Sequence, residues 1–200
     1  MMQMDVEKLQ KEKELLAKEH EIERLKNDEL AKLNAKLSDL SLRDPLTGVF
    51  NRRYLDHYLS EHYLKAQRQN LPLGVMLCDI DFFKKVNDSF SHAIGDEVLK
   101  QVGKIFKQHT RTNDSVARYG GEEFVLIFEG SSLEATSHIA EKLRREVEKY
   151  PWQEIHPNLK ITISAVVASD LNFGNYEKLL AHADAKLYQA KHQGRNQVCH

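Results

Sequence analysis

Leu73 to Ile80 is a nearly unbroken apolar run that follows Pro72 and is too short for an ordinary helix. Such a run suits a strand buried on both faces. It ends in Asp79-Ile80-Asp81, and a carboxylate at a strand end can face a cleft while Leu77 and Cys78 stay in the core. The rest of the chain has to be arranged around that strand.

Helical periodicity lies on either side of it. Arg52 to Gln69 carries Leu55, Tyr58, Leu59 and Leu64 behind Asn51 as N-cap, and Asp96 to Gln108 places Val98, Leu99, Val102, Ile105 and Phe106 on one face. Ser115 to Tyr119 and Glu122 to Phe128 are partly alternating runs around Gly120-Gly121, the pattern of a tight hairpin. Ser131 with Glu134 reads as a capping box for a helix to about Lys149. Leu159 to Ala168 reads as strand, and Tyr176 to Gln193 as helix, stopped by Gly194. The order is a split α/β pattern with an internal hairpin, not regular βαβ alternation.

Residues 1 to 40 differ in kind: 18 charged side chains, and no Gly, Pro or aromatic residue. That composition favours a solvated helix, and pairs such as Glu7/Lys11, Glu14/Lys18 and Asp28/Lys32 add a few tenths of a kcal/mol each. Leu30, Leu33, Leu37 and Leu40 follow coiled-coil spacing, with Ile22 and Leu25 out of register, so residues 1–41 are expected to be a dimerising stalk and 42–200 the globular domain. The alternative is a lone amphipathic helix lying on its own domain. Ser41 to Pro45 breaks the pattern.

Lys and Arg number 29 against 30 Asp and Glu, so no overall basic field is available for a nucleic-acid backbone or an anionic membrane. No stretch approaches the roughly 18 apolar residues of a membrane span. Two cysteines, Cys78 and Cys199, suggest no disulfide framework or zinc site and fit a reducing cytoplasm, although an upstream membrane or sensor part could precede this sequence.

If the hairpin lies beside the Asp79 strand, Asp79, Glu122 and Glu123 converge. Three carboxylates in a partly desolvated site repel unless a cation sits among them, and magnesium commonly binds one or two carboxylates together with substrate phosphates. On this pattern alone a solvated acidic hairpin tip remains open.

Five blocks narrow the reading: Asp44-Pro-Leu-Thr-Gly-Val-Phe-Asn-Arg-Arg53, Asp79-Ile-Asp-Phe-Phe-Lys-Lys-Val-Asn-Asp88, His92-Ala-Ile-Gly-Asp96, Arg118-Tyr-Gly-Gly-Glu-Glu-Phe124 and Ala183-Asp-Ala-Lys-Leu-Tyr-Gln-Ala-Lys-His-Gln-Gly-Arg-Asn196. In this order they resemble the GGDEF family of diguanylate cyclases, in its GGEEF variant, over about residues 42 to 198. The resemblance implies an α/β (α+β) fold similar to the adenylate-cyclase and polymerase palm, with a mostly antiparallel central sheet and flanking helices. It implies condensation of two GTP into cyclic di-GMP with loss of two pyrophosphates.

By matching position, the resemblance implies that Asp79, the Ile80 carbonyl, Glu122 and Glu123 hold two Mg2+ or Mn2+ ions per active site, and that Glu122 assists deprotonation of the ribose 3′-hydroxyl. Asn87 and Asp96 match the guanine-reading positions, whose plain alternatives are a turn Asn and a helix N-cap Asp. Phe82, Phe83, Lys84, Lys191 and Arg195 match phosphate-contacting positions, while Asp81 is read as structural and His92 as packing. Arg111-Thr-Asn-Asp114 stands where the family's inhibitory RxxD site occurs and would bind cyclic di-GMP; Arg144 or Arg145 is a candidate secondary contact. A symmetric product implies two domains face to face, hence a homodimer. Ser91 and Val166 depart from the usual Gly, and Ser91 would strain a turn if its position needs positive φ. The competing readings are a catalytically silent receptor, another palm-type cyclase or polymerase, and a coiled-coil adaptor with an inert head.

Overall fold

The computed structural model describes residues 13, 16–30, 32–33, 42–169 and 171–200. The chain divides into two compact units, Met1–Ser41 and Leu42–His200. In the first, residues 16–30 are helical, and Leu16, Ile22, Leu25, Leu30 and Leu33 are each more than half exposed. Leu37 and Leu40 of the expected seam lie outside the described residues.

In the second unit, β1 (Leu73–Ile80) is the middle strand of a five-stranded sheet ordered β2-β3-β1-β4-β5. β2 (Ser115–Arg118) pairs with β3 (Glu123–Glu129), and β1 lies antiparallel between β3 and β4 (Ile163–Ala168). β5 (Val198–Cys199) adds to β4 in parallel. All eight residues of β1 are buried, as its apolar run predicts.

Alternation along β1 sends its side chains into two cores. Leu73, Val75 and Leu77 pack with α1 (Arg52–Gln69) and α5 (Tyr176–His192), around Leu55, Leu59, Leu180 and Leu187. Met76, Cys78 and Ile80 face the other way, toward α3 (His92–His109) and α4 (Leu133–Lys149), around Val102, Phe106, Leu143 and Val147. Asp79 continues the first series, so its carboxylate belongs to the α5 side of the sheet.

α1 has the expected limits, and Asn51 accepts from the Tyr54 N–H at 3.0 Å. Other boundaries differ. The Asn87-Asp88-Ser89 cluster is not a turn but the end of α2 (Phe83–Phe90), held because Phe83 and Val86, one helical turn apart, are both buried. α3 begins at His92, four residues before the expected start, so Asp96 is inside the helix and is not its N-cap. The cap of α4 is Ser132, accepting from Ala135 N–H at 3.2 Å, not Ser131. Leu159 and Ile161 are buried, but the strand starts only at Ile163. β5 has just two residues, too few for a periodicity to register.

Between α2 and α3, Ser91 has φ 108° and ψ 159°, a conformation essentially reserved for glycine. Its N–H donates to the Asn87 carbonyl and its own carbonyl accepts from Gly95 N–H, at 3.0 and 3.1 Å, so the strain is locked into the corner joining two helices. Ser91→Gly is expected to stabilise the fold by about 1–2 kcal/mol. A urea midpoint that stays put or falls would contradict this.

Candidate active site

The site is built where β1 ends beside the β2–β3 turn. Asp79 is the direct cross-strand partner of Glu123 on one side and of Ser164 on the other. Ile80 N–H donates to the Glu122 carbonyl at 3.3 Å, which ties the residue before β3 to the end of β1. Asp79 is 5% exposed, while Glu122 and Glu123 are half-buried.

Neither Gly120 nor Gly121 has positive φ, so the turn does not need them for backbone freedom. At Gly120 a Cβ would stand 2.8 Å from Glu123 Oε2, so a larger residue would push that carboxylate aside. Arg118 holds the turn closed: its Nε and Nη2 donate to the Gly121 carbonyl at 3.0 and 2.8 Å, and its Nη1 reaches Asp44 at 3.2 and 3.3 Å. Asp44 also accepts from the Thr47 N–H and hydroxyl at 2.9 and 2.7 Å. Arg118 and Asp44 stand in separate sequence motifs, and neither motif marks the clamp they form. A long-range pair 74 residues apart leaves no periodic trace.

Asp79 is paired with Lys191, Nζ to Oδ2 at 2.7 Å, from the last turn of α5. Burial nevertheless pushes its carboxyl up to about 6, against the pull of Lys191 and with Glu122 and Glu123 adding repulsion. A carboxylate whose charge the fold disfavours is chemically apt for a divalent cation. Among the described residues, however, no three His, Cys, Asp or Glu side chains are already gathered as a metal cage. The donors fit an ion that brings further ligands with it, as magnesium does with a polyphosphate. Because the folded carboxyl sits above its usual 3.8, Asp79 should make stability fall as pH rises from about 4 to about 6, and that fall should be missing in Asp79→Asn; a urea midpoint with the same pH slope in both proteins would contradict this.

Asn87 lies against Gly95, the residue before Asp96, since a Cβ on Gly95 would stand 1.9 Å from Asn87 Oδ1. Lys84 is exposed on the first turn of α2 behind Phe82, whose φ is 57°, and Phe83 is buried. Arg195 lies 4.3 Å from the centroid of the exposed Phe82 ring. Asp81 is spent on structure: it accepts from Thr162 and Ser164 hydroxyls at 2.7 and 2.6 Å and from Asn196 N–H at 3.1 Å.

Arg144 is not available as a secondary contact. It is 11% exposed, paired with Glu141 and Glu148, and donates to Asn196 Oδ1 at 2.6 Å. Those bonds hold Arg195 and Asn196, at φ 62° and 46°, in the corner that carries Arg195 to Phe82. Arg145 is 59% exposed and bonded to Glu141.

On the far side of β2, Arg111 and Asp114 close a turn, with Asp114 accepting from Arg111 N–H at 2.8 Å. They line a cleft of about 630 Å3 with Phe50, Tyr54, Tyr58, Ser115 and Glu129. The rings of Phe50, Tyr54, Tyr58 and His62 stack in succession along α1, and Tyr58 and His62 both bond Glu129. In the sequence Tyr58 counts only as one of the apolar residues of a helix, and nothing in that spacing marks this wall.

A carboxylate-bearing hairpin beside a buried strand aspartate, with Lys191 from the last helix and Arg195 just beyond it, makes a site whose charges suit a divalent cation and phosphate groups. Residues 41–197 match the family described as "Diguanylate cyclase, GGDEF domain", and the chain belongs to that family. It is 42% identical over 163 residues to the response regulator PleD of Caulobacter vibrioides, covering 80% of this chain and 36% of that protein. Among solved structures it is similar to the diguanylate cyclase SiaD of Pseudomonas aeruginosa in complex with its activator SiaC (TM-score 0.74, 32% identity, 97% of this chain and 74% of that one). It is also similar to the coiled coil and GGDEF domain of DgcB from Caulobacter crescentus in complex with c-di-GMP (TM-score 0.72, 26% identity, 88% and 95%). The chain thus spans about a third of PleD. Among the described residues no helix is long and apolar enough to cross a membrane.

Proposed function

We propose that the chain is a diguanylate cyclase that joins two GTP into cyclic di-GMP and releases two pyrophosphates. The observation that carries this is the cross-strand placing of Asp79 against Glu123, with Glu122 tied to Ile80 beside it. Asp79, the Ile80 carbonyl, Glu122 and Glu123 would hold two magnesium or manganese ions, which when bound make the 3′-hydroxyl easier to deprotonate and offset triphosphate charge.

Asn87 and Asp96 select guanine: the carboxylate accepts from N1–H and the exocyclic amine, and the amide both donates and accepts. Lys84, Lys191 and Arg195, with the amides of Phe82 and Phe83, bind phosphate oxygens. Glu122, half-buried at the turn, accepts the proton of the attacking hydroxyl. Cyclic di-GMP acts back on the enzyme through the exposed Arg111 guanidinium and Asp114 in the cleft beside β2.

Each domain holds one GTP, so two domains must meet to close the ring. Residues 1–41 serve as a coiled-coil stalk that raises the effective concentration of the partner, supported by the helix at 16–30 with its unburied leucines and by the coiled-coil form of DgcB. Incubation with GTP and Mg2+ followed by chromatography is expected to yield cyclic di-GMP; binding of GTP without product would refute the enzyme reading. Leu33→Asp combined with Leu37→Asp is expected to make specific activity fall on dilution. Activity independent of concentration would refute the stalk role.

A further inference from the structure

Asp79 Oδ2 already has a cation, since Lys191 Nζ lies 2.7 Å away. The Asp79 side chain is 7% exposed at the end of the middle strand, whereas the Lys191 side chain, a flexible stem in the last turn of α5, is 29% exposed. Lys191 is the partner that can move.

An ammonium and a divalent ion bound to the same carboxylate would stand within about 4 Å of each other, where like charges repel strongly in a partly buried site. Lys191 must therefore leave before a divalent ion takes Asp79. Its departure breaks a buried ion pair, which is costly unless the ammonium finds another anion. Among the described residues no three His, Cys, Asp or Glu side chains stand together as a ready cage whose hold on the metal would offset that loss. A polyphosphate supplies both missing parts, oxygens for the divalent ion and an anion for Lys191. Arg195, four residues further on and beyond the end of α5, lies over the Phe82 ring, and Lys191 is the cation in contact with Asp79.

Resting on the ligand role proposed above for Asp79, we infer that Lys191 is an exchangeable counter-ion that makes divalent-metal binding conditional on the triphosphate, by transferring from Asp79 to the phosphates. The lysine thus has two alternating partners, and metal and nucleotide affinities are coupled through it. That coupling is reciprocal: whatever factor the nucleotide gives the metal, the metal returns to the nucleotide.

The test is Mn2+ binding to the 200-residue chain, followed by electron paramagnetic resonance of free Mn2+, with and without a non-hydrolysable GTP analogue. Mn2+ held by the analogue in solution is subtracted. Without nucleotide, Lys191→Met is expected to bind Mn2+ at least about tenfold tighter than wild type. Lys191→Arg, which keeps the charge, and Lys178→Met, on the exposed first turn of α5, should stay within about twofold of wild type. The factor by which the analogue tightens Mn2+ binding should shrink at least about tenfold in Lys191→Met. Lys191→Gln, checked by circular dichroism, repeats the measurement should the Met variant fold poorly. Unchanged or weaker Mn2+ affinity in both neutral variants, with binding still abolished by Asp79→Asn, overturns the counter-ion role alone. Mn2+ binding that survives Asp79→Asn overturns the ligand reading on which it rests.

Discussion

Glu122→Gln is expected to lower the rate of cyclic di-GMP formation by about 10^2- to 10^4-fold, the range for loss of a positioned proton acceptor. The substitution is nearly isosteric and leaves the fold alone, since Glu122 is hydrogen-bonded to β1 through its backbone carbonyl, which accepts from Ile80 N–H. The side chain is half-buried at the turn, so neither a cavity nor an unpaired buried group results. Thermal stability should therefore change little while the initial rate, measured by chromatography under saturating GTP and Mg2+, collapses. A variant that retained more than about a tenth of wild-type rate would remove Glu122 from the chemistry. One that lost stability in parallel would make it a structural residue instead.

Arg118→Ala should cost about 2–4 kcal/mol of stability and most of the activity together. Its guanidinium is 19% exposed and makes four contacts at once, two to the Gly121 carbonyl and two to Asp44, which is itself 17% exposed. Alanine gives up both bonds to the turn carbonyl and takes the cation from a half-buried carboxylate that keeps only its Thr47 donors. It also frees the segment whose position sets Glu122 against Asp79. Arg118→Lys should recover little, because a lysine is a single point of charge and cannot donate in two directions as the planar fork does. Urea denaturation reads the stability, and a shift below about 0.5 kcal/mol would exclude the clamp.

The same pair predicts an acid limb in stability. Burial alone would raise the Asp44 carboxyl, but the Thr47 hydroxyl and N–H and the Arg118 guanidinium outweigh it and hold it below its usual 3.8. Because the folded value is depressed, this contribution is present in full above pH 3.8 and is lost as pH falls through the folded value. In Arg118→Ala that limb should flatten, as the main charged partner is gone.

Features recorded over consecutive residues were legible without coordinates. The limits of α1 and β1, the Asn51 cap, the hairpin around Gly120-Gly121 and the family blocks all rest on short-range pattern: an apolar period, a capping side chain, a motif. The positions expected to hold metal and to read guanine come from the resemblance of contiguous motifs, which needs no coordinates either. Errors arose where local preference lost to burial. Asn87 lies in a helix despite its turn-like neighbours because Phe83 and Val86 need a helical face, and α3 starts early because Ser91 accepts a strained φ.

By itself the sequence determined which strand is buried, which residues carry charge at its end, and the family to which they belong. Only the tertiary structure decided how those charges are balanced. Lys191 meets Asp79 across 112 residues, Arg118 meets Asp44 across 74, and Arg144 reaches Asn196 across 52. Such pairs follow from sheet order and helix packing, and no period along the chain encodes the distance between two side chains brought together only when the sheet is assembled.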